Sequence, residues 1–223
     1  MKRPFSALLG ALLFAGLSQA NAATLQIDFD ISFGDPTDPN TAPPGGPSPW
    51  LTAFFDDHDS TGSVTLTLSV ANVASVGAAE VTAVYLNVDD AIGGANLTIA
   101  PAGGTGPAAS ISAGTDIAQA ADSGFYDILF DLPPPGGDRF TAGETLIYNI
   151  TANNLVASSF NFLSTPDLSG PFLGAAKFQS TSGCATGAGQ CSDWVGAVPV
   201  PAAVWLFGSG LLGLIGVARR KKV

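Results

Sequence analysis

The stretch SVTLTLSV at residues 63–70 decides the fold, because polar and apolar residues alternate strictly along it. This period of two is typical of a β-strand that buries one face and exposes the other. The same alternation occurs at residues 25–33, 126–132 and 146–150. Since no stretch of the body combines a 3.6-residue period with helix caps, the sequence predicts an all-β body.

Weaker strand candidates and turn signals complete this pattern. Clusters of Gly, Pro and Asp separate about eight short candidate strands, which favours an antiparallel β-sandwich or jelly roll, with a closed barrel as the competing arrangement. Further candidate strands lie at 81–88, 96–100, 155–163 and 172–178, and loops are predicted at 35–49, 102–114 and 133–137.

Charged residues are unevenly distributed along the chain. Of the 8 Lys and Arg residues, only Arg139 and Lys177 lie between the two ends, whereas all 18 Asp and Glu residues lie there. An acidic surface of this kind repels phosphate backbones, so nucleic acid is excluded as a partner.

Residues 1–22 have the three parts of a secretory signal peptide. Lys2 and Arg3 form the positive start, residues 7–17 the apolar stretch, and Ala20-Asn21-Ala22 the cleavage site. We therefore expect signal peptidase to process the chain and to leave Ala23 as the new N-terminus. An ordinary N-terminal core helix is the alternative, but it would not explain why these three features occur together.

The C-terminal segment has the length and composition of one transmembrane helix. Val198 to Ala218 contains no charged residue, and the basic cluster Arg219, Arg220, Lys221 and Lys222 follows at once. As a helix the segment would span about 31 Å, close to the bilayer core of about 30 Å. Because basic residues stay cytoplasmic, the body (residues 23–197) is predicted to lie outside the inner membrane. A buried core helix is the alternative.

The string VPVPAAVWLFGSGLLGLIGVARRKK resembles the PEP-CTERM sorting tail, which has a proline-bearing motif, an apolar helix and a basic cluster. The resemblance implies that an exosortase, a membrane-embedded cysteine protease-transpeptidase, handles residues 198–223. Val200 stands where the family's Pro-Glu-Pro core has Glu. The prolines favour an extended backbone that a protease can reach. The sorting motif comprises Val198, Pro199, Val200, Pro201, Ala202, Ala203 and Trp205.

The body also resembles that of one group of PEP-CTERM proteins. The resemblance rests on the segments PWLTAFFDD, YLNVD, FYDILFDLPPPGGDRFTAGE and SFNFLS. This group has no activity that can be carried over to the chain. Membership implies a protein that is anchored in the inner membrane with its body in the periplasm, then found at the cell surface or secreted, among exopolysaccharide.

Cys184 and Cys191 are the only cysteines in the sequence. In an exported protein, two thiols this close favour a disulfide that closes a short loop. A metal-binding pair is the alternative, although two cysteines and one distant histidine fall short of a zinc site. The disulfide would stabilise the body by about 2–3 kcal/mol.

The acidic turn at residues 56–60 holds the only histidine, His58, and the strongest hint of chemistry. Asp56, Asp57 and Asp59 could ligate Ca²⁺, which takes about six to eight oxygen ligands, but the downstream residues of an EF-hand are missing. A solvated turn made of turn-favouring residues is the alternative. His58 could act as a general base, although a lone histidine in a polar turn is more often simply solvated.

The sequence contains no phosphate loop, dinucleotide fingerprint or nucleophile elbow in the body. We therefore expect a non-enzymatic envelope or extracellular-matrix protein without a cofactor. The alternative is a lectin-like, carbohydrate-binding module with or without Ca²⁺, and an enzyme ranks third. The aromatic residues that could stack on sugars, and that are equally ordinary core residues, are Trp50, Phe54, Phe55 and Trp194.

Overall fold

The computed structural model of the protein describes residues 24–35, 37–71, 79–133, 138–166, 171–181 and 191–199. The strands in these ranges are β1 (Thr24–Phe29), β2 (Ile31–Ser32), β3 (Leu51–Asp56), β4 (Ser63–Val70), β5 (Glu80–Leu86), β6 (Thr98–Gly104), β7 (Ser110–Gln119), β8 (Phe125–Asp131), β9 (Phe140–Thr141), β10 (Thr145–Thr151), β11 (Gly174–Thr181) and β12 (Cys191–Ala197). Three short 3-10 helices lie at Gly94–Asn96, Ala121–Ser123 and Ala157–Phe160. The prediction of an all-β body is confirmed for the described residues.

The strands form two antiparallel sheets. Sheet A has the order β1-β3-β4-β10-β6, and sheet B has the order β2-β12-β11-β5-β8-β7, with β9 paired to β5. The chain passes from sheet A to sheet B at Asp30, and Ile31 then pairs with Gly196 of β12. One edge of the body is therefore closed by a chain segment that serves both sheets.

The inner faces of the two sheets share one hydrophobic core. In β4, the alternation predicted from the sequence buries Val64, Leu66 and Leu68 completely. Phe130 and Phe178 of sheet B belong to the same core. Burying a large apolar side chain contributes about 1.5–3 kcal/mol, so this alternation determines which face of each strand turns inward.

A smaller apolar cluster lies on the outer face of sheet B, where it includes Tyr85, Tyr126 and Ala175. Loop residues are fixed over this cluster: the Tyr126 hydroxyl lies 3.0 Å from Ser123 Oγ. Ser164 Oγ in turn donates a hydrogen bond of 2.9 Å to the Ser123 carbonyl. The segment around Ser164 is thus held against the outside of sheet B.

Two predictions about individual segments are wrong. Residues 102–114, predicted as a loop, include the end of β6 and the start of β7. Gly and Ala are accommodated there because β6 is an edge strand with a largely exposed face, which needs little side-chain packing. Residues 155–163, predicted as a strand, contain the 3-10 helix Ala157–Phe160, whose first N–H is held by the distant Asp57 carboxylate.

Candidate functional site: a polar cleft beside the C-terminal tail

An open cleft of about 830 Å³ lies at one end of the body. Three connections form its walls: the turn before β4, the segment between β5 and β6, and the segment that follows β10. The lining residues are Thr61, Gly62, Ala91, Ile92, Asn96, Thr98, Thr151, Ala152, Asn153 and Asn154. None of them carries a charge, in a described body that is otherwise strongly acidic.

Backbone hydrogen bonds hold the walls of the cleft together. Gly62 donates its N–H to the Leu155 carbonyl at 2.8 Å, and Ala152 donates to the Gly62 carbonyl at 3.2 Å. The segment between β5 and β6 is tied in by Asp89, whose N–H donates to the Ser159 carbonyl at 2.8 Å. The shape of the cleft is therefore set by main-chain bonds and not by long, mobile side chains.

Asp57 is a buried polar residue at this end of the body, and it connects two segments of the chain there. Its side chain is 2 % exposed. One carboxylate oxygen accepts the Ala157 N–H at 3.0 Å, and the other accepts the Asp59 N–H at 3.1 Å. Because Asp57 follows β3 and Ala157 follows β10, this one carboxylate fixes the turn after β3 to the 3-10 helix.

The chemistry of the lining is that of amides and hydroxyls. An Asn amide both donates and accepts hydrogen bonds, and so does a Thr hydroxyl. Asn96 already uses one amide proton, which it donates to the Ile92 carbonyl at 2.7 Å. Neutral donors and acceptors over a partly apolar floor suit a neutral polyhydroxylated ligand better than a charged one.

His58 lies outside the cleft, in a hydrogen-bonded chain on the outer face of sheet A. Its Nδ1 lies 3.3 Å from an Asp56 carboxylate oxygen, and its Nε2 lies 3.1 Å from Thr65 Oγ1. Thr65 Oγ1 also lies 3.4 Å from Asn149 Oδ1. The His58 side chain is 66 % exposed on an open sheet face, so these contacts order the turn but enclose no substrate.

The three aspartates predicted to bind Ca²⁺ are not gathered round one point. Asp57 points inward to backbone N–H groups, while Asp56 accepts the His58 N–H at 2.8 Å. No group of three or more His, Cys, Asp or Glu side chains placed to hold a metal ion occurs in the ranges that the structure describes. Calcium binding by Asp56, Asp57 and Asp59 stays a prediction.

The four aromatic residues proposed to stack on sugars do not form one surface. Trp50 and Phe55 belong to the core, where Phe55 stacks on Phe160 with ring centroids 4.3 Å apart. Phe54 is exposed on sheet A. Trp194 lies on sheet B beside Tyr85, with Lys177 Nζ 5.5 Å from its ring centroid.

A second groove lies directly after β12, where the predicted C-terminal tail begins. Val198 and Pro199, the first two residues of the predicted sorting motif, line it together with residues of β1 and with Asn161 and Leu173. Asp28 and Asp30 also line this groove. Burial, and then the neighbouring Asp28 charge, raise the pKa of Asp30.

The polar cleft and the tail groove lie at the same end of the body. In sheet A, Thr151 of β10 pairs with Ser63 of β4 and with Thr98 of β6, which places the cleft at that end. Thr24 of β1 pairs with Asp56 at the same end of the sheet. In sheet B, Ala197 of β12 and Leu86 of β5 both pair with Gly174. The cleft residue Ala91 follows β5 on that side, so β12 ends at the end of the body that holds the cleft.

Of the remaining predicted site residues, Cys191 begins β12 and is buried, and the others lie outside the described residues. Cys191 is disulfide-bonded, and Cys184, the other cysteine of the sequence, lies outside the described residues. The signal peptide, the sorting motif from Val200 onward and the basic cluster at residues 219–222 also lie outside them. Within the described ranges, no helix is both long and apolar enough to cross a membrane.

Comparison of the chain with known protein families, with curated proteins and with solved structures found no match. The resemblance to PEP-CTERM proteins therefore stays a prediction that rests on the sequence motifs.

Proposed function

We propose that the chain is an exported, non-enzymatic protein of the cell envelope or extracellular matrix, sorted by an exosortase through its C-terminal tail. The observation that carries the proposal is the tail itself, in which a Pro-x-Pro motif, an uncharged segment and four cations follow one another. Signal peptidase and the exosortase are the processing partners. Exopolysaccharide is the surrounding material, as the PEP-CTERM resemblance implies.

The position of Val198 and Pro199 supports this proposal. Both residues line a surface groove immediately after β12, so the predicted sorting motif begins directly after the last described strand. A protease needs an extended substrate segment that is not paired within a sheet. Cleavage close after Pro199 would leave intact all the strands that the structure describes.

Intact-mass measurement of the native protein from membranes and from culture supernatant tests the proposal. We expect a released form that begins at Ala23 and ends near Val198–Pro201, together with a membrane form that retains the tail. The proposal would fail if the chain runs from Ala23 to Val223 in the membrane and no shorter form is released.

We propose carbohydrate binding as a second function, favoured by one observation: the uncharged cleft lined by amides and hydroxyls. Neutral sugars present the matching hydroxyl groups. The acidic body surface around the cleft would disfavour acidic polysaccharides, so the expected ligand is a neutral glycan.

A glycan array probed with the mature chain tests this second function. Asn153→Ala removes an exposed amide from the cleft wall and should weaken binding about tenfold, as expected for one or two lost hydrogen bonds. Asn161→Ala is the matched control, because Asn161 lies in the tail groove and should leave binding unchanged. Equal binding by both variants and the parent chain would rule out the cleft as the binding site.

A further inference from the structure

Four exposed apolar side chains belong to chain segments that meet at the groove lined by Val198 and Pro199. Leu163 is 46 % exposed, Phe162 and Val198 are each 40 % exposed, and Ile31 is 39 % exposed. Large apolar side chains that are grouped on a surface generally mark a contact with another apolar phase. We call these four residues the exit patch.

The members of the exit patch are neighbours in space because of the groove and the sheet register. Phe162 and Leu163 directly follow Asn161, which lines the groove with Val198. Ile31 pairs with Gly196, two residues before Val198. The patch is therefore built from three separate parts of the chain that meet at the start of the tail.

The segment that carries Phe162 and Leu163 is held in place by hydrogen bonds on its C-terminal side. Ser164 donates its N–H to the Phe172 carbonyl at 2.8 Å, and Leu173 donates to the Ala197 carbonyl at 2.7 Å. These bonds connect the segment to the last residue of β12. The exposed side chains are thus displayed by a fixed part of the body.

The length of chain between the body and the uncharged tail defines what can reach this patch. The uncharged stretch starts at Val198, which is itself in the groove, so no polar linker separates body and tail. If residues 198–218 cross the bilayer, the surface around Val198 must lie within a few residues of the membrane. At about 3.3 Å per extended residue, even a short connection leaves no room for a wide aqueous gap.

We propose that the exit patch docks on the outer surface of the same bilayer that the tail crosses, which fixes the orientation of the anchored body. This inference rests on the proposed membrane anchoring of the tail. The occupant of the patch is lipid: Phe162, Leu163, Ile31 and Val198 contact the boundary between head groups and acyl chains, where aromatic and aliphatic side chains partition.

Site-specific photo-crosslinking in the full-length chain tests the docking. The photoreactive residue p-azidophenylalanine replaces Phe162 in one variant, Trp205 in a second and Ser110 in a third. The three proteins are reconstituted in phosphatidylcholine vesicles, whose zwitterionic head groups do not repel the acidic body. Ser110 is the control, because it is exposed and pairs with Asp131 at the other end of sheet B.

Docking predicts that the probe at position 162 forms a lipid adduct and the probe at position 110 does not, as measured by mass spectrometry. A lipid adduct at 205 without one at 162 would overturn the docking and leave the anchor standing. An adduct at 162 without one at 205 would overturn the anchor and with it this inference, because lipid contact at the patch would then not depend on a tail that crosses the bilayer. Absence of adducts at both positions would overturn both, and crosslinking of 162 to a second copy of the chain would show that protein, not lipid, covers the patch.

Discussion

The Asp57 side chain stabilises the cleft end of the body by accepting hydrogen bonds from backbone N–H groups. Its two carboxylate oxygens are occupied by the N–H groups of Ala157 and Asp59, and its carbonyl accepts the N–H and the hydroxyl of Ser60. A carboxylate with this many N–H donors is a structural cap. The sequence showed an acidic turn, but it could not show that one of the three aspartates points inward.

Asp57→Ala should destabilise the body by about 2 kcal/mol, because the buried N–H of Ala157 loses its acceptor. The expected fall in melting temperature is roughly 4–8 °C, measured by near-ultraviolet circular dichroism. Asp59→Asn is the control and should change stability by less than about 0.5 kcal/mol, since Asn tolerates the positive φ of 55° at this position. A melting temperature that rises with Ca²⁺ in the parent chain but not in Asp57→Ala would instead support the calcium site.

Asp193 is a buried acid on β12 whose environment favours the protonated form. Its side chain is 1 % exposed and accepts the Ser32 hydroxyl at 2.6 Å and the Trp194 N–H at 2.8 Å. Burial raises its pKa above the ordinary value of 3.8, although these hydrogen bonds and one from the Gly34 N–H oppose the rise. A raised folded-state pKa means that the folded chain binds this proton more tightly than the unfolded chain.

Stability should therefore increase as the pH falls from the raised pKa of Asp193 towards 3.8, and decrease as the pH rises through that interval. Asp193→Asn should remove this contribution and melt at a higher temperature than the parent chain at neutral pH. Its amide can still accept the Trp194 N–H and donate to Ser32 Oγ. The comparison consists of melting curves across pH, and parallel curves for both proteins would contradict the prediction.

At the scale of elements, strands were predictable where both the period and the side-chain size agreed. β4 and β10 alternate fully and bury their larger residues. The end of β6 and the whole of β7 were missed because Gly, Ala and Ser give little periodic signal, although an edge strand tolerates them; only the start of β6 falls in the candidate strand at 96–100. The long candidate strand at 25–33 is interrupted at Asp30, where the chain passes from sheet A to sheet B. The polar–apolar alternation continues through this point, so it could not show that the chain changes sheets.

Gly124 lies between the 3-10 helix Ala121–Ser123 and β8. The loop that contains Thr165, near the exit patch, packs closely against it. The Gly124 φ of 110° lies in a region that favours glycine, and an added Cβ would meet the Thr165 carbonyl oxygen. Gly124→Ala should destabilise the body by about 2–3 kcal/mol and weaken the paired backbone bonds between Phe125 and Thr165.

Hydrogen exchange of the peptide that contains Thr165 measures this local effect, and thermal melting measures the global one. Asp122→Ala, an exposed substitution in the same turn, is the control and should leave both unchanged. Unaltered exchange in Gly124→Ala would show that the loop does not depend on this residue.

At the scale of the whole molecule, the cleft was not predictable from the sequence. Its walls come from three connections that are far apart in the chain, and Asn96, Thr98 and Thr151 look like ordinary turn and strand residues. The tail, by contrast, is one continuous stretch of sequence, and its pattern alone predicts its role. Aromatic content alone was a poor guide to sugar binding, since Trp50 and Phe55 pack in the core.

The disulfide at Cys191 should contribute about 2–3 kcal/mol to the stability of the body. Reduction is therefore expected to lower the melting temperature by roughly 5–10 °C. The double variant Cys184→Ser and Cys191→Ala is the control: it should melt like the reduced chain and show no response to reductant. A parent chain whose melting is indifferent to reductant would contradict the prediction.

The cleft and the start of the tail lie at the same end of the body, and this determines when the cleft could bind a ligand. A body held by a tail at this end would carry its cleft turned down towards the lipid head groups, where a polymer arriving from outside finds little access. Cutting the tail would remove that obstruction and leave the described strands unchanged. The body would then become able to bind a polymer when it is released and not when it folds. It would stay inactive for as long as its tail holds it to the membrane.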